Sequence, residues 1–149
     1  MSISNLNLIQ FDRLILPGEQ KQRRTFLDFC VDGISLYERF ANKRDLVSTI
    51  WVNPPVPEEA QRPIKRLLKL DPSDFPNDRV AIYVCPECGD LGCGAISIEI
   101  VFDDTLVTWQ SFGYENNYDN SVEYEGYLSI GPYSFDRIAY ENLFRKLLS

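Results

Sequence analysis

Three cysteines near the middle of the chain have the spacing that most directly suggests chemistry. Cys85 and Cys88 form a C-x-x-C pair, and Cys93 follows within a glycine-rich run. Two thiolates at this spacing can bind one zinc ion, because the tight turn between them brings both sulfur atoms to the metal. A redox C-x-x-C needs its first cysteine at a helix N-terminus, whereas here glycines and then a strand-like run follow. The spacing therefore favours zinc over redox chemistry, if it supports either.

The fourth zinc ligand is the weak point of this interpretation. The chain has no histidine, so the remaining candidates are Asp90 and Cys30, and Cys30 lies in a run that is predicted to be core. The alternative is a loop turned by glycines in which small thiols pack without metal. We therefore expect no cofactor, with zinc at Cys85, Cys88 and Cys93 as the alternative. The lack of histidine also excludes Ser-His-Asp and Cys-His catalysis, so an enzyme is not expected.

The negative charge of the chain is concentrated in one window. The 149 residues carry 22 acidic and 15 basic side chains, a net charge of −7, yet residues 80–136 contain ten acidic side chains and no Lys or Arg. This balance argues against nucleic acid or an anionic membrane as the direct partner. The sequence has no apolar run long enough to cross a bilayer and no signal-peptide pattern. The expected location is the cytoplasm, with reduced cysteines.

Six of the eight tyrosines fall in the same acidic window. Tyrosine supplies a large contact area at low entropic cost, and carboxylates steer association with a basic partner. A merely solvated surface usually mixes charges of both signs, so the absence of Lys and Arg favours a binding surface. The predicted partner-binding residues are Tyr114, Glu115, Tyr118, Asp119, Glu123, Tyr124 and Glu125.

The elements that position these residues follow from hydrophobic periodicity. Strands are predicted over 6–16, 24–31, 34–40, 46–52, 80–85, 95–102 and 105–114, and helices over about 57–70 and 135–148. Asp32-Gly33 and Asp103-Asp104 are predicted to form hairpin turns. Ser134 is predicted to cap the second helix, and the apolar stripe of that helix is predicted to include Ile138. Residues 115–131 are too poor in aliphatic side chains to be core. The sequence therefore predicts one α+β domain over residues 1–149, mostly antiparallel sheet with two helices.

Two strands have an alternation clear enough to assign their faces. In residues 24–31, Phe26, Asp28 and Cys30 share one face, and Leu27, Phe29 and Val31 share the other. In residues 95–102, Ile96, Ile98 and Ile100 are predicted to point to one face, with Ser97 and Glu99 on the other.

Part of the chain resembles a family of small bacterial proteins. The resemblance covers residues 80–148 and rests on Tyr83–Ala95 (YVCPECGDLGCGA), on Trp109–Tyr118 (WQSFGYENNY) and on Phe135-Asp136-Arg137. These proteins resemble the immunity proteins of contact-dependent growth inhibition and related polymorphic toxin systems. The resemblance implies a cytoplasmic protein that binds and neutralises a cognate toxin domain, such as a basic nuclease, and it implies no catalytic residues. A zinc- or thiol-containing protein and a regulatory adaptor for another basic protein remain as alternatives.

Overall fold

A computed structural model of the chain describes residues 3–15, 22–40, 46–52, 61–73, 75, 77–84, 94–115 and 121–148. The fold is α+β, with two antiparallel sheets and two α-helices in the described residues. The predicted fold class is therefore confirmed. The two helices have seven and nine residues, and no helix in these ranges is long and apolar enough to span a membrane.

The first sheet is built on a long hairpin. Its strands are β1 (Leu6–Ile15), β2 (Gln22–Val31), β3 (Ile34–Ser35) and β5 (Trp51–Val52). β1 pairs with β2 over its full length, while β3 pairs with the C-terminal end of β2 and β5 pairs with its middle. The predicted Asp32-Gly33 turn is confirmed, because both residues have positive φ (53° and 84°), as a two-residue hairpin of this type requires.

The second sheet has five antiparallel strands in the order β4-β6-β7-β8-β9. They are β4 (Val47–Ser48), β6 (Val80–Val84), β7 (Ala95–Phe102), β8 (Leu106–Glu115) and β9 (Tyr133–Asp136). The register of β7 against β8 shifts between Ser97 and Glu99, opposite Ser111, which has a positive φ of 54°. Such a bulge bends the strand and turns a backbone carbonyl out of the regular ladder.

Both sheets and both helices contribute to one main hydrophobic core. Phe29 from the first sheet, Ile96 from the second, Leu67 from α1 (Gln61–Leu67) and Phe144 from α2 (Arg137–Arg145) belong to the same buried cluster. Trp109 is fully buried at its centre, with Phe29 edge-on at 5.4 Å. The predicted grouping of side chains by face is confirmed in both strands. Phe29 and Val31 of β2 lie in this cluster with Leu27 packed against it, and Ile96, Ile98 and Ile100 of β7 lie in it together.

Both helices are shorter than predicted. Residues 57–60 lie outside the described part of the chain, and α1 ends at Leu67 because Lys69 adopts a positive φ of 61° and the Leu70 amide donates to the Lys65 carbonyl. This is a left-handed C-terminal turn that stops a helix. At α2 the cap is Asp136, not Ser134, because the Asp136 carboxylate accepts the Ala139 amide at 2.9 Å.

Four local predictions were wrong. The strand predicted over 46–52 is divided into β4, which belongs to the second sheet, and β5, which belongs to the first. The strand predicted over 34–40 ends at Ser35, and a 3-10 helix (Tyr37–Arg39) follows, which places Leu36 and Phe40 in the core. Residues 115–131 were expected to lie outside the core, yet Tyr127 and Ile130 are buried in it. Burial of a few large side chains outweighs the polar composition of a segment. Ile138 was assigned to the apolar side of the last helix, but it is exposed.

Candidate binding surface on the second sheet

A buried arginine side chain lies against one face of the second sheet. Arg79 precedes β6, and its side chain is only 3% exposed. Its Nε donates to Glu115 Oε2 and to Ser97 Oγ, both at 2.9 Å, and one terminal nitrogen donates to the Ser97 and Ser111 carbonyls. Ser111 lies at the bulge and has a positive φ, and its carbonyl accepts a hydrogen bond from the guanidinium. The sheet thus holds the cation with oxygens from two strands.

Glu115 provides the counter-charge, at the end of β8. Its carboxylate is also 3% exposed and accepts hydrogen bonds from Arg79, from Ser97 Oγ and from Asn77 Nδ2, the last at 3.0 Å. This differs from the expectation that Glu115 presents its carboxylate to a partner. The reason is Arg79, the last basic residue before the acidic window, which the sheet brings to Glu115 from 36 positions away. The position of Arg79 at that boundary is the only sequence signal of the pair.

Tyr124 covers this ion pair from the solvent side. The Arg79 guanidinium carbon lies 5.4 Å from the centroid of the Tyr124 ring, within the range of a cation–π contact. The ring is nevertheless 42% exposed, so part of it remains open to solvent. Glu123, just before it, exchanges two backbone hydrogen bonds with Tyr114 at 2.9 and 2.8 Å. The segment is thereby fixed to the edge of β8.

Three exposed acidic residues lie on the elements next to this ring, Glu99 on β7 and Glu123 and Glu125 on the segment that carries Tyr124, and with Tyr124 they are called the acidic patch below. Glu99 on β7 lies 3.8 Å from an Arg79 terminal nitrogen that makes no hydrogen bond. Its side chain is 48% exposed. Glu123 and Glu125 are exposed on the segment that carries Tyr124. Sequence reasoning did not select Glu99, although its alternation on β7 had already placed it on this face.

Tyr114 lies on β8 next to Glu115, and its side chain packs against the main hydrophobic core. It is half-buried, and its ring lies against the backbone of Gly94, where a Cβ atom would overlap the phenol oxygen and its ring carbon. Gly94 also has a φ of 101°, which L side chains rarely adopt. A glycine is therefore required at this position for two independent reasons.

The structure brings four of the seven predicted binding residues together beside buried Glu115. Tyr114, Glu123, Tyr124 and Glu125 share one edge of the second sheet. Tyr118 and Asp119 lie outside the described residues.

The cysteine cluster is likewise outside the described residues, since Cys85, Cys88 and Cys93 fall in the range 85–93, as does Asp90. Within the part of the chain that is described, no group of three or more Cys, Asp or Glu side chains is arranged to hold a metal ion. Cys30, the other fourth-ligand candidate, is a free buried thiol on β2. Burial, and then the nearby Asp28 charge, raise the pKa of this thiol.

Comparison of the chain with family models, with curated proteins and with solved structures finds no match.

Proposed function

We propose that this chain is an immunity protein that binds a cognate bacterial toxin domain and neutralises it in the cytoplasm. The toxin domain that we propose is a basic nuclease. The observation that supports the proposal is the acidic patch. Exposed acidic residues on two neighbouring elements accompany an accessible tyrosine ring, and Arg79, which contacts this ring, is already paired with Glu115. A nuclease must present cationic side chains to the phosphates of its substrate, so the charges are complementary.

The carboxylates and the ring contribute different things to such a complex. Rim carboxylates mainly raise the association rate by long-range attraction and add little to the affinity at physiological salt. A tyrosine at the centre of an interface is a typical hot spot, because it removes a large apolar area from water while its hydroxyl keeps a partner. Tyr124 therefore supplies affinity, while Glu123 and Glu125 supply speed and orientation.

The buried ion pair makes the patch rigid before any partner arrives. Arg79 makes four hydrogen bonds to the sheet and one ring contact to Tyr124, so that the ring has a fixed support. Binding then costs less conformational entropy than it would on a mobile loop. Glu115 acts here as a positioning residue and does not contact the partner.

The proposal is tested by co-expressing the chain with the toxin domain encoded by the adjacent upstream gene. We expect a stable complex on affinity purification and loss of the toxin's activity in the presence of the chain. Binding without inhibition would support the adaptor alternative instead. If the toxin domain is neither bound nor inhibited, the immunity proposal is wrong.

A charge-reversal pair locates the interface. Glu125→Lys should lower the association rate constant on the order of tenfold at low salt and flatten its salt dependence, because steering falls with the local charge. Asp104→Lys is the matched control, since it makes the same change in net charge at the exposed β7–β8 turn, the opposite end of β8 from Glu115. Equal kinetics for the two variants, measured by stopped flow, would remove Glu125 from the interface.

A further inference from the structure

A pocket of about 610 Å³ lies between the first sheet and β6, away from the acidic patch. Its apolar wall includes Ile9 and Phe11 from β1, Phe26 from β2, and Leu46. Its polar lining includes the carboxylates of Asp28 and Glu38, the side chains of Ser35, Tyr37 and Tyr83, and the Cys30 thiol. Pockets of this size, mostly apolar with a few convergent polar groups, are the usual form of small-molecule sites.

Strand register places these side chains together. Ile9 is directly opposite Asp28, and Phe11 is opposite Phe26, in the antiparallel β1–β2 pair. Because side chains alternate along a strand, Phe26, Asp28 and Cys30 all point into the pocket, while Phe29 and Val31 point into the core. The pocket therefore lies on one face of β2, and the opposite face of β2 packs into the main hydrophobic core.

Asp28 is a buried carboxylate whose hydrogen-bond donors among the described residues are neutral. The Tyr83 hydroxyl donates to Oδ1 at 2.5 Å, and the Ser35 hydroxyl donates to Oδ2 at 2.6 Å. Among the described residues that line the pocket there is no lysine or arginine. Each carboxylate oxygen can accept more than one hydrogen bond, so both retain capacity. A buried negative charge without a cation favours any ligand that supplies one.

The walls suit a cation with an apolar body. Four aromatic rings line the space, those of Phe11, Phe26, Tyr37 and Tyr83. Aromatic faces attract cations as well as apolar surface. Ile9 and Phe11 are each 53% exposed at the rim, so they have apolar surface left for a ligand to cover. An anionic ligand would meet both Asp28 and Glu38.

We propose that this pocket binds a small molecule that carries one protonated amine on a compact apolar body, with the amine hydrogen-bonded to Asp28. The Tyr83 hydroxyl stays protonated in this site, because burial and the adjacent Asp28 charge raise its pKa well above the usual range. It therefore continues to orient the carboxylate towards the pocket. This site is independent of the proposed toxin-binding function.

Matched probe pairs test the proposal by calorimetry on the full chain. The pairs are 1-adamantylamine with 1-adamantanol, tryptamine with tryptophol, and n-octylamine with n-octanol. We expect at least one amine to bind ten or more times tighter than its own alcohol. Asp28→Asn should remove that preference while the alcohol still binds, and Asp104→Asn, the same charge change on the far turn, should leave it intact. If no amine is preferred over its alcohol, the proposal is wrong.

A second measurement on the unaltered chain keeps the test decisive if Asp28→Asn does not fold. Cys30 lines the pocket, so a bound amine should slow its modification by methyl methanethiosulfonate at least fivefold, resolved from the other cysteines by peptide mass spectrometry. Binding without protection of Cys30 would place the amine elsewhere and overturn the proposal. Nα-acetyl-lysine amide is the last arm. If it bound more tightly than every apolar amine, a partner's lysine would replace the small molecule and the proposal would also fail.

Discussion

Glu115 on the second sheet and Asp28 on the first are both buried carboxylates on strand surfaces, 4% and 9% exposed, but their partners differ in charge. Glu115 faces Arg79, whose guanidinium is held by carbonyls of the same sheet. Within the described part of the chain, Asp28 accepts its side-chain hydrogen bonds from the hydroxyls of Tyr83 and Ser35. Equal burial with unequal compensation shows that burial alone does not tell a structural carboxylate from one that can bind a ligand.

The difference follows from where each residue lies in its sheet. Glu115 ends the strand next to β7, and Arg79 enters the sheet beside β7 on the same face, so the fold itself completes the ion pair. Asp28 lies opposite Ile9 on a two-stranded stretch whose neighbours on that face are apolar. A buried carboxylate that is paired with a cation of the same fold stabilises the folded chain. A buried carboxylate without such a cation can still pair with a cationic ligand.

The largest expected effect is on the compensated site. Arg79→Met should lower the free energy of unfolding by about 3–5 kcal/mol, because it leaves the buried Glu115 carboxylate without its cation. Urea denaturation measures this directly. Arg145→Met is the control, since Arg145 forms an exposed ion pair with Glu141 and should change stability by less than about 0.5 kcal/mol. Similar losses of stability for the two variants would contradict the view that the buried Glu115 carboxylate depends on Arg79 for its counter-charge.

Neutralising each carboxylate in turn compares the sites most directly. Glu115→Gln should cost about 2 kcal/mol more than Asp28→Asn, because the first leaves a buried arginine without its counter-charge and the second removes an uncompensated charge. Urea denaturation at neutral pH gives both values. A larger loss of stability for Asp28→Asn than for Glu115→Gln would contradict the view that Glu115 is paired with a cation and Asp28 is not.

Tyr83 tests the neutral donors around Asp28. Tyr83→Phe should cost about 1.5 kcal/mol at neutral pH, because it removes a hydrogen bond to a buried carboxylate. Above about pH 10 the unfolded tyrosine loses its proton while the folded one, with its raised pKa, retains it, so the wild-type chain loses stability that the variant keeps. The gap between the two should therefore narrow as the pH rises further. A gap that stays constant to pH 11.5 would contradict the raised pKa of Tyr83.

The smallest effect is expected at the exposed end of the Arg79 cluster. Glu99→Gln should change the free energy of unfolding by less than about 0.5 kcal/mol, because Glu99 is half exposed and lies beyond hydrogen-bond distance from Arg79. It should nevertheless lower the rate of association with a basic partner. A loss above 1 kcal/mol would mean that Glu99, and not Glu115 alone, compensates the arginine.

Local signals were sufficient for much of the fold. The alternation in β2 and β7 predicted which side chains share a face, and Asp32-Gly33 predicted the hairpin of β2 and β3, because each pattern depends only on neighbouring residues. The 3-10 helix after β3 was missed because the burial of Leu36 and Phe40 is decided by the other sheet. Tyr127 and Ile130 were missed because the polar residues around them hid two core positions.

The candidate sites depended on long-range pairing and were predicted less well. The exposed residues Glu123, Tyr124 and Glu125 could be selected from charge and composition. The buried ion pair of Glu115 could not be predicted, because its partner Arg79 is 36 positions away and only the sheet register brings the two residues together. The pocket around Asp28 has contributions from two sheets, and alternation alone placed Asp28 on a face without showing what lies opposite it.

The contact between Gly94 and Tyr114 has a consequence for how related chains can diverge. Any side chain at position 94 would occupy the space of the Tyr114 ring, and the backbone there is one that favours glycine. The two positions should therefore change together over evolution, with a residue other than glycine at 94 tolerated only alongside a much smaller residue at 114. A set of homologues that kept Tyr114 while varying position 94 freely would be inconsistent with this packing.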